Sequence, residues 1–268
     1  MLAFPEGPLS DRVESVWSSE GVDCFEEEEI LPRSRTEVLL SMGDTHWLHD
    51  RNDRRRDRAF GTSFISGLQQ RPLHVRSPGT TSMAGIRLRP EGVAAFLRDT
   101  PSAIAGEVIE LDAILGPDVE SLRDQVASAR SLGERTRLLA AAVEAHFDRA
   151  AALSDEVRFA LSALHASRGA VAIGDVVRAS GYSHRHLTER FRAEVGLAPK
   201  AYARLIRFEA AFERLQQMKS VRWAEFALDC GYYDQAHLVR EFRELAGTTP
   251  TEAFRRKAPD GLGLLIED

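Results

Sequence analysis

The hydrophobic period changes along the chain. Up to about residue 110 the apolar positions come in short runs, Glu37–Met42, Ser63–Ser66, Leu73–Arg76 and Ala84–Leu88, separated by Gly, Pro and Asp. Runs of this length between turn residues predict the strands of a small, largely antiparallel sheet. In the last run Arg87 and Arg89 alternate with Ile86 and Leu88, so this strand is expected to have one buried and one cationic face. Glu91–Leu97 reads as a helix. After Leu111 the helical period takes over, with Leu, Val, Ala and Phe147 at helical spacing in Val119–Ala129 and Gly133–Leu153.

Further along, the helical pattern repeats. A shift of 51 residues places Leu187, Phe191, Gly196 and Pro199 on Leu238, Phe242, Gly247 and Pro250, within GYSHRHLTERFRAEVGLAP and GYYDQAHLVREFRELAGTTP. The paired starts, Gly181-Tyr182 and Gly231-Tyr232, are offset by 50, so the second copy has one extra residue in its turn. Each copy reads as helix, tight turn, helix. In the first, Ile173, Val176 and Val177 mark the supporting helix, Gly181 suits a left-handed turn, Ser183 caps the next helix and Leu187 and Phe191 face inward. In the second, Trp223, Phe226, Ala227 and Cys230 form the apolar side of the supporting helix, and Asp234 is the expected cap. Between the copies Pro199 opens a helix whose stripe of Tyr202, Leu205, Ile206, Phe208, Ala210, Phe212 and Leu215 runs on towards Met218. At 1.5 Å per residue that helix is roughly 30 Å long, close to the approximately 34 Å between successive major-groove faces on one side of B-DNA.

Charge sharpens the picture only after it is divided. The net charge is -6, yet Asp155–Lys257 holds 17 Lys/Arg against 13 Asp/Glu, while residues 1–154 hold 18 against 25. A mildly basic C-terminal part permits phosphate binding without demanding it. The two cysteines, Cys24 and Cys230, have neither zinc-site spacing nor the density of a disulfide scaffold, which fits a reducing cytoplasm. The N-terminus lacks the pattern of a signal peptide, and no run is long enough to span a bilayer, so no membrane partner is expected.

The stretch FALDCGYYDQAHLVREFRELAGTTPTEAFRR resembles the signature of the AraC/XylS family of transcription regulators, and VVRASGYSHRHLTERFRAEVGLAPKAYARLIRFEAAFERL resembles that family's first helix-turn-helix with its linker helix. The likeness covers residues 155–257 and implies a bacterial regulator with a seven-helix DNA-binding domain. GIRLRPEGVAAFL is similar to a poorly characterised β-rich domain attached to many such regulators. The resemblance therefore implies an α+β chain: a β-rich sensor or regulatory domain (1–115), a helical linker that is a candidate for dimerisation (116–153), an all-α domain of two helix-turn-helix units joined by a long helix (154–258) and a tail (259–268). It implies double-stranded promoter DNA as partner, RNA polymerase if the chain activates, and a small-molecule effector or a second copy as modulators through the N-terminal domain.

Carried over residue by residue, the first recognition helix presents Arg185, Thr188, Glu189 and Arg192 behind Ser183, and the second presents Tyr233, Gln235, Ala236, His237 and Arg240. Arg185 and Arg240 suit guanine, Gln235 suits adenine or a phosphate, and Glu189 either accepts from cytosine or pairs with Arg185 or Arg192. Tyr233 either changes the cap or meets a phosphate. The bland reading of each is a solvated helix face. Neither His184/His186, two apart on a helix, nor His46 and His49 with Cys24 is read as a metal site. The runs Glu26–Glu29 and Arg51–Arg58 read as solvated charge, with an acidic contact surface and a grip on DNA or an anionic effector as the sharper alternatives. Arg255, Arg256 and Lys257 suit a helix C-terminus, whether or not a phosphate is near. No cofactor is expected. No catalysis is expected either, since GxSxG, HExxH and phosphate-loop motifs are missing and the single N-terminal cysteine, Cys24, does not supply the cluster that a methyl-accepting repair domain needs. A module whose helices bind protein instead of DNA is the remaining rival.

Overall fold

The computed structural model describes residues 1–22, 27–49, 57–59, 61–76, 79–97, 101–256 and 263–265. Cys24, Glu26, Arg51–Arg56 and Lys257 lie outside these. The chain divides into two units, one built from residues 1–27, 35–68 and 74–153 and the other from 28–34, 69–73 and 154–268.

The first unit is organised by a six-stranded antiparallel sheet. Its strands are β1 (Leu2–Ala3), β2 (Val13–Val22), β4 (Thr36–Ser41), β7 (Ser63–Ser66), β9 (Thr80–Leu88) and β10 (Val108–Glu110), in the order β1-β2-β9-β4-β7-β10. The register sets Val16 opposite Ile86, Ile86 opposite Val38, Val38 opposite Ile65 and Ile65 opposite Ile109. One β-branched row thus crosses five strands, and such cross-strand pairs are the packing that stabilises a sheet. β2 has a bulge between Val13 and Ser15, which brings Val13 and Val16 into the same core although they are three residues apart. On the other face the cationic side expected for β9 is neutralised: Arg87 Nε lies 2.9 Å from Glu37 Oε1, which also accepts from Trp17 Nε1 at 2.8 Å. Trp17 lies over Gly85, where a Cβ would fall 2.5 Å from the indole ring. A short strand β5 (Trp47–Leu48) pairs with β6 (Arg58–Ala59) and with β8 (Leu73–Arg76).

Helices α1 (Pro90–Phe96), α2 (Asp112–Leu115), α3 (Asp118–Ala127) and α4 (Leu132–His146) complete this unit. Val119, Val126, Leu139 and Val143 of α3 and α4 share the core of Val16, Val38, Ile65 and Ile86. The segment 116–153 therefore adds a helical layer to the sheet. Its second helix is shorter than the period suggested. It ends at His146 because Phe147 takes an extended conformation, its ring packing edge-on to Phe96 with centroids 6.5 Å apart. The Asp148 amide then donates to the Ala95 carbonyl at 2.8 Å.

Among the described residues the second unit has seven helices: α5 (Asp155–Ala166), α6 (Ile173–Ser180), α7 (His184–Val195), α8 (Pro199–Gln217), α9 (Trp223–Asp229), α10 (Gln235–Ala246) and α11 (Pro250–Arg255). Gly181, Gly196, Gly231 and Gly247 have positive φ at helix ends and turns, a conformation that costs glycine little. Leu187, Phe191, Leu238 and Phe242 are all fully buried. Strand β3 (Glu27–Ile30) pairs with β11 (Gly263–Leu265), a strand where only a tail was expected. Glu29, at the end of the acidic run, is 1% exposed and accepts from Arg256 Nη2 at 3.3 Å, so at this residue the run is no solvated surface.

Truncating Phe242 removes an aromatic ring from a site that cannot fully collapse, which costs about 3–5 kcal/mol. Phe242→Ala should therefore lower the thermal midpoint of the full chain by many degrees in circular dichroism, whereas the exposed neighbour change Arg243→Ala should leave it within about 0.5 kcal/mol of the parent.

Candidate DNA interface

The two copies present equivalent helices, α7 and α10, and each starts at a side-chain cap. Ser183 Oγ accepts from the His186 amide at 3.2 Å, and the Asp234 carboxylate accepts from the His237 amide at 2.6 Å. Both caps fix where the helix begins and hence which residues occupy its exposed first turns. Tyr182 and Tyr233 are the residues just before the caps, and both project outward, 46% and 86% exposed. Tyr232, one position further back in the longer second turn, is buried, which pushes its hydroxyl well above the usual phenol range.

On α7 the Arg185 guanidinium reaches Glu189 at 2.8 Å with both side chains mostly exposed. This is the internal pairing open to Glu189. Thr188 is half-buried beside His184, its Oγ1 3.4 Å from Nδ1, and Arg192 is exposed. On α10 Gln235, Ala236 and Arg240 are exposed. His237 differs. Its Nδ1 accepts from the Tyr233 amide at 3.3 Å, its ring stands edge-on to Tyr232 at 5.4 Å, and Nε2 lies 3.9 Å from Glu241. That ring braces the turn from inside.

Behind both helices lie ion pairs of opposite polarity. Glu156 on α5 faces His186 at 3.1 Å and Arg190 at 3.7 Å, and Arg190 also meets Glu194 at 2.8 Å. The Glu156 carboxyl is held below the usual carboxylate range by its own backbone amide and then by His186. In the second copy the position of Arg190 is taken by Glu241, which is 5% exposed. It binds Arg204 and Arg207, both on α8, the latter at 2.9 Å. Arg207 also donates to the Gly169 carbonyl at 3.1 Å and stands over the Tyr232 ring at 5.0 Å. Pairing with Glu241 and Glu244 raises the Arg204 pKa above the ordinary range despite the opposing effect of burial.

Glu241 and Lys200 were not singled out in the sequence. Glu241 could be suspected from the repeat register, since it stands one residue before the inward Phe242 and carries the opposite charge to Arg190. Lys200 is an exposed cation in the first turn of α8, where the helix dipole disfavours it and no acidic residue offsets it. Among the described residues no group of three or more His, Cys, Asp and Glu is placed to hold a metal ion. His49 instead lies 2.8 Å from Asp57. No helix among them is long and apolar enough to cross a membrane.

Two family models match the chain: a helix-turn-helix domain over residues 176–256 and a domain of unknown function, DUF6597, over residues 3–110. Comparison with curated proteins returned no match. Among solved structures, ToxT from Vibrio cholerae superimposes with a TM-score of 0.51 at 9% identity, covering 89% of this chain and 98% of that one. An apo ToxT variant from the same organism gives 0.50 at 10% identity, covering 90% and 97%. The C-terminal domain of AraT, a response regulator from Geobacillus stearothermophilus, is 23% identical over 43% of this chain and 91% of its own, with a TM-score of 0.37. The ToxT likeness is one of fold. The duplicated, capped helices and the domain match over residues 176–256 identify the second unit as an AraC-type helix-turn-helix domain, that of a DNA-binding transcription regulator.

Proposed function

We propose that this regulator binds promoter DNA by placing α7 and α10 in two successive major grooves of one duplex. The observation that carries this reading is the pair of capped helices whose inward rings pack on one 19-residue helix, α8, Phe191 against Tyr202 in its first turn and Phe242 against Phe208 near its middle. Its length is about 28 Å at 1.5 Å per residue. Arg185, Thr188, Glu189 and Arg192 then face one groove, and Gln235, Ala236 and Arg240 the other. Ser183 and Tyr233 stand at the helix starts, where hydroxyls and amides meet backbone phosphates. His237 contributes by holding the second helix in place. In this reading 154–258 is the DNA-binding domain and 1–115 the regulatory domain. The helices of 116–153 carry the dimer contact, and 259–268 is a tail that includes β11. Modulation by a small molecule or by a second copy rests on the family resemblance, as do contact with RNA polymerase in an activator, a cytoplasmic location and the lack of catalysis.

Selection from a random duplex library by the full-length chain tests the two-groove reading. Two short enriched blocks are expected. Gln235→Ala should relax selection in one block by about 1–3 kcal/mol at a single base pair, and Arg185→Ala should do so in the other. If both substitutions act on the same block, one groove is read and the proposal fails. If no duplex is enriched and binding lacks a steep salt dependence, the protein-binding rival takes its place.

Glu241 supplies a second test. Removing one partner of a buried ion pair leaves its cations uncompensated, at a cost of about 3–5 kcal/mol. In the folded fraction, Glu241→Ala should lose the block read by α10 and keep the block read by α7. Equal loss of both blocks in a chain of native circular dichroism would contradict the positioning role.

A further inference from the structure

The second unit contains a cavity of about 710 Å³ whose walls come from both helix-turn-helix copies and the helix that joins them. It is lined by Ala172 and Ile173 at the start of α6, by Lys200, Arg204 and Arg207 of α8, and by Arg240, Glu241 and Glu244 of α10. The charges are unequal. Both carboxylates are used internally, Glu241 by Arg204 and Arg207 and Glu244 by Arg204. Lys200 and Arg240 have no ion-pair partner among the described residues, although they lie on different helices and face the same space. Two uncompensated cations converging on one cavity repel each other unless an anion lies between them. The α6 start adds to this. The amides of Asp175 and Val176 donate to the Ala172 carbonyl, and Ala172 offers no side-chain cap. The amide of Ile173, ahead of them, therefore has no acceptor within its helix.

We infer that this cavity seats a phosphate group of the DNA backbone, bound by Lys200 of α8 and Arg240 of α10. The inference rests on the DNA-binding reading above and adds Lys200 to the interface. The cavity is far larger than one phosphate ion and lies between α6 of the first copy and α10 of the second. A strand crossing from one read groove to the next passes between those copies. Arg240 accordingly acts on the backbone, and the base readout of α10 falls to its first turn. Arg204 and Arg207 are positioning residues that occupy Glu241, which leaves Lys200 and Arg240 as the uncompensated cations.

The test uses the full chain, with affinity for a selected duplex and for a scrambled duplex measured over a series of KCl concentrations. Lys200→Gln removes an exposed cation from a helix start, so the fold is expected to survive. Both duplexes should weaken by the same factor, about fivefold, the order of an exposed ion pair. The log-log salt slope should flatten by about 0.9, the value for one phosphate contact. Unchanged affinity and slope in the variant, beside a steep slope in the parent, overturn the inference, as does a loss confined to one base pair of the selected duplex. Displacement of the duplex by low inorganic phosphate at constant ionic strength would assign the cavity to a small anion instead. If the parent binds no duplex, the DNA-binding reading itself fails. Inorganic phosphate titrated against the amide resonances of Ala170–Ile173 then decides the site alone: shifts in the parent that vanish in Lys200→Gln uphold an anion site, and their absence in the parent removes it.

Discussion

The second unit depends on the way one helix holds two aromatic rings. Phe191 of α7 packs against Tyr202 with ring centroids 5.7 Å apart, and Phe242 of α10 packs against Phe208 at 5.0 Å. All four rings are fully buried or nearly so. Such edge-to-face pairs contribute beyond their buried area because the ring quadrupoles are oriented. Tyr202 and Phe208 belong to a single unbroken helix, so α7 and α10 keep one separation and one relative rotation. Both helices can then meet a repeating structure whose own spacing is rigid.

Packing fixes the axes of the two helices, and ion pairs restrain their rotation. The first copy sets the acid on the supporting helix α5 and the bases on α7; the second sets the bases on α8 and the acid on α10. In both arrangements the charges nearest the core satisfy one another. Outward cations, Arg192, Lys200, Arg240 and Arg243 among them, have no ion-pair partner among the described residues. A chain whose net charge is -6 thus still presents uncompensated cations on its second unit.

Most of the second unit was legible because its signals are local. The caps Ser183 and Asp234, the left-handed glycines, the inward Leu/Phe pairs and the proline at the start of α8 each act within a few residues of themselves. The residues that were missed act across space. Glu241 acquires its meaning only when α8 brings Arg204 and Arg207 to it, and the tie between His237 and Tyr233 depends on the fold of a single turn. In the first unit the ten-residue strand β2 escaped detection because the bulge after Val13 breaks the period of two and because buried Ser15 and Ser18 stand where apolar residues were sought. The helical period predicted α4 to run on to Leu153, but Phe147 leaves the helix to reach Phe96, a partner about fifty residues earlier. Arg87 gave a cationic alternation in sequence, and the neighbouring strand supplied Glu37 to cancel it.

The central claim is that one chain reads two grooves at a fixed separation, and varying that separation tests it most directly. Duplexes carrying the two recognition blocks at stepped centre-to-centre distances would be titrated with the full chain. Affinity should peak at one helical turn, about 10–10.5 base pairs, and fall when half a turn is inserted and the second block rotates to the far side of the duplex. Affinity that does not change with spacing would mean that α7 and α10 do not engage the duplex together, and would contradict the role of α8 as the rigid spacer between them.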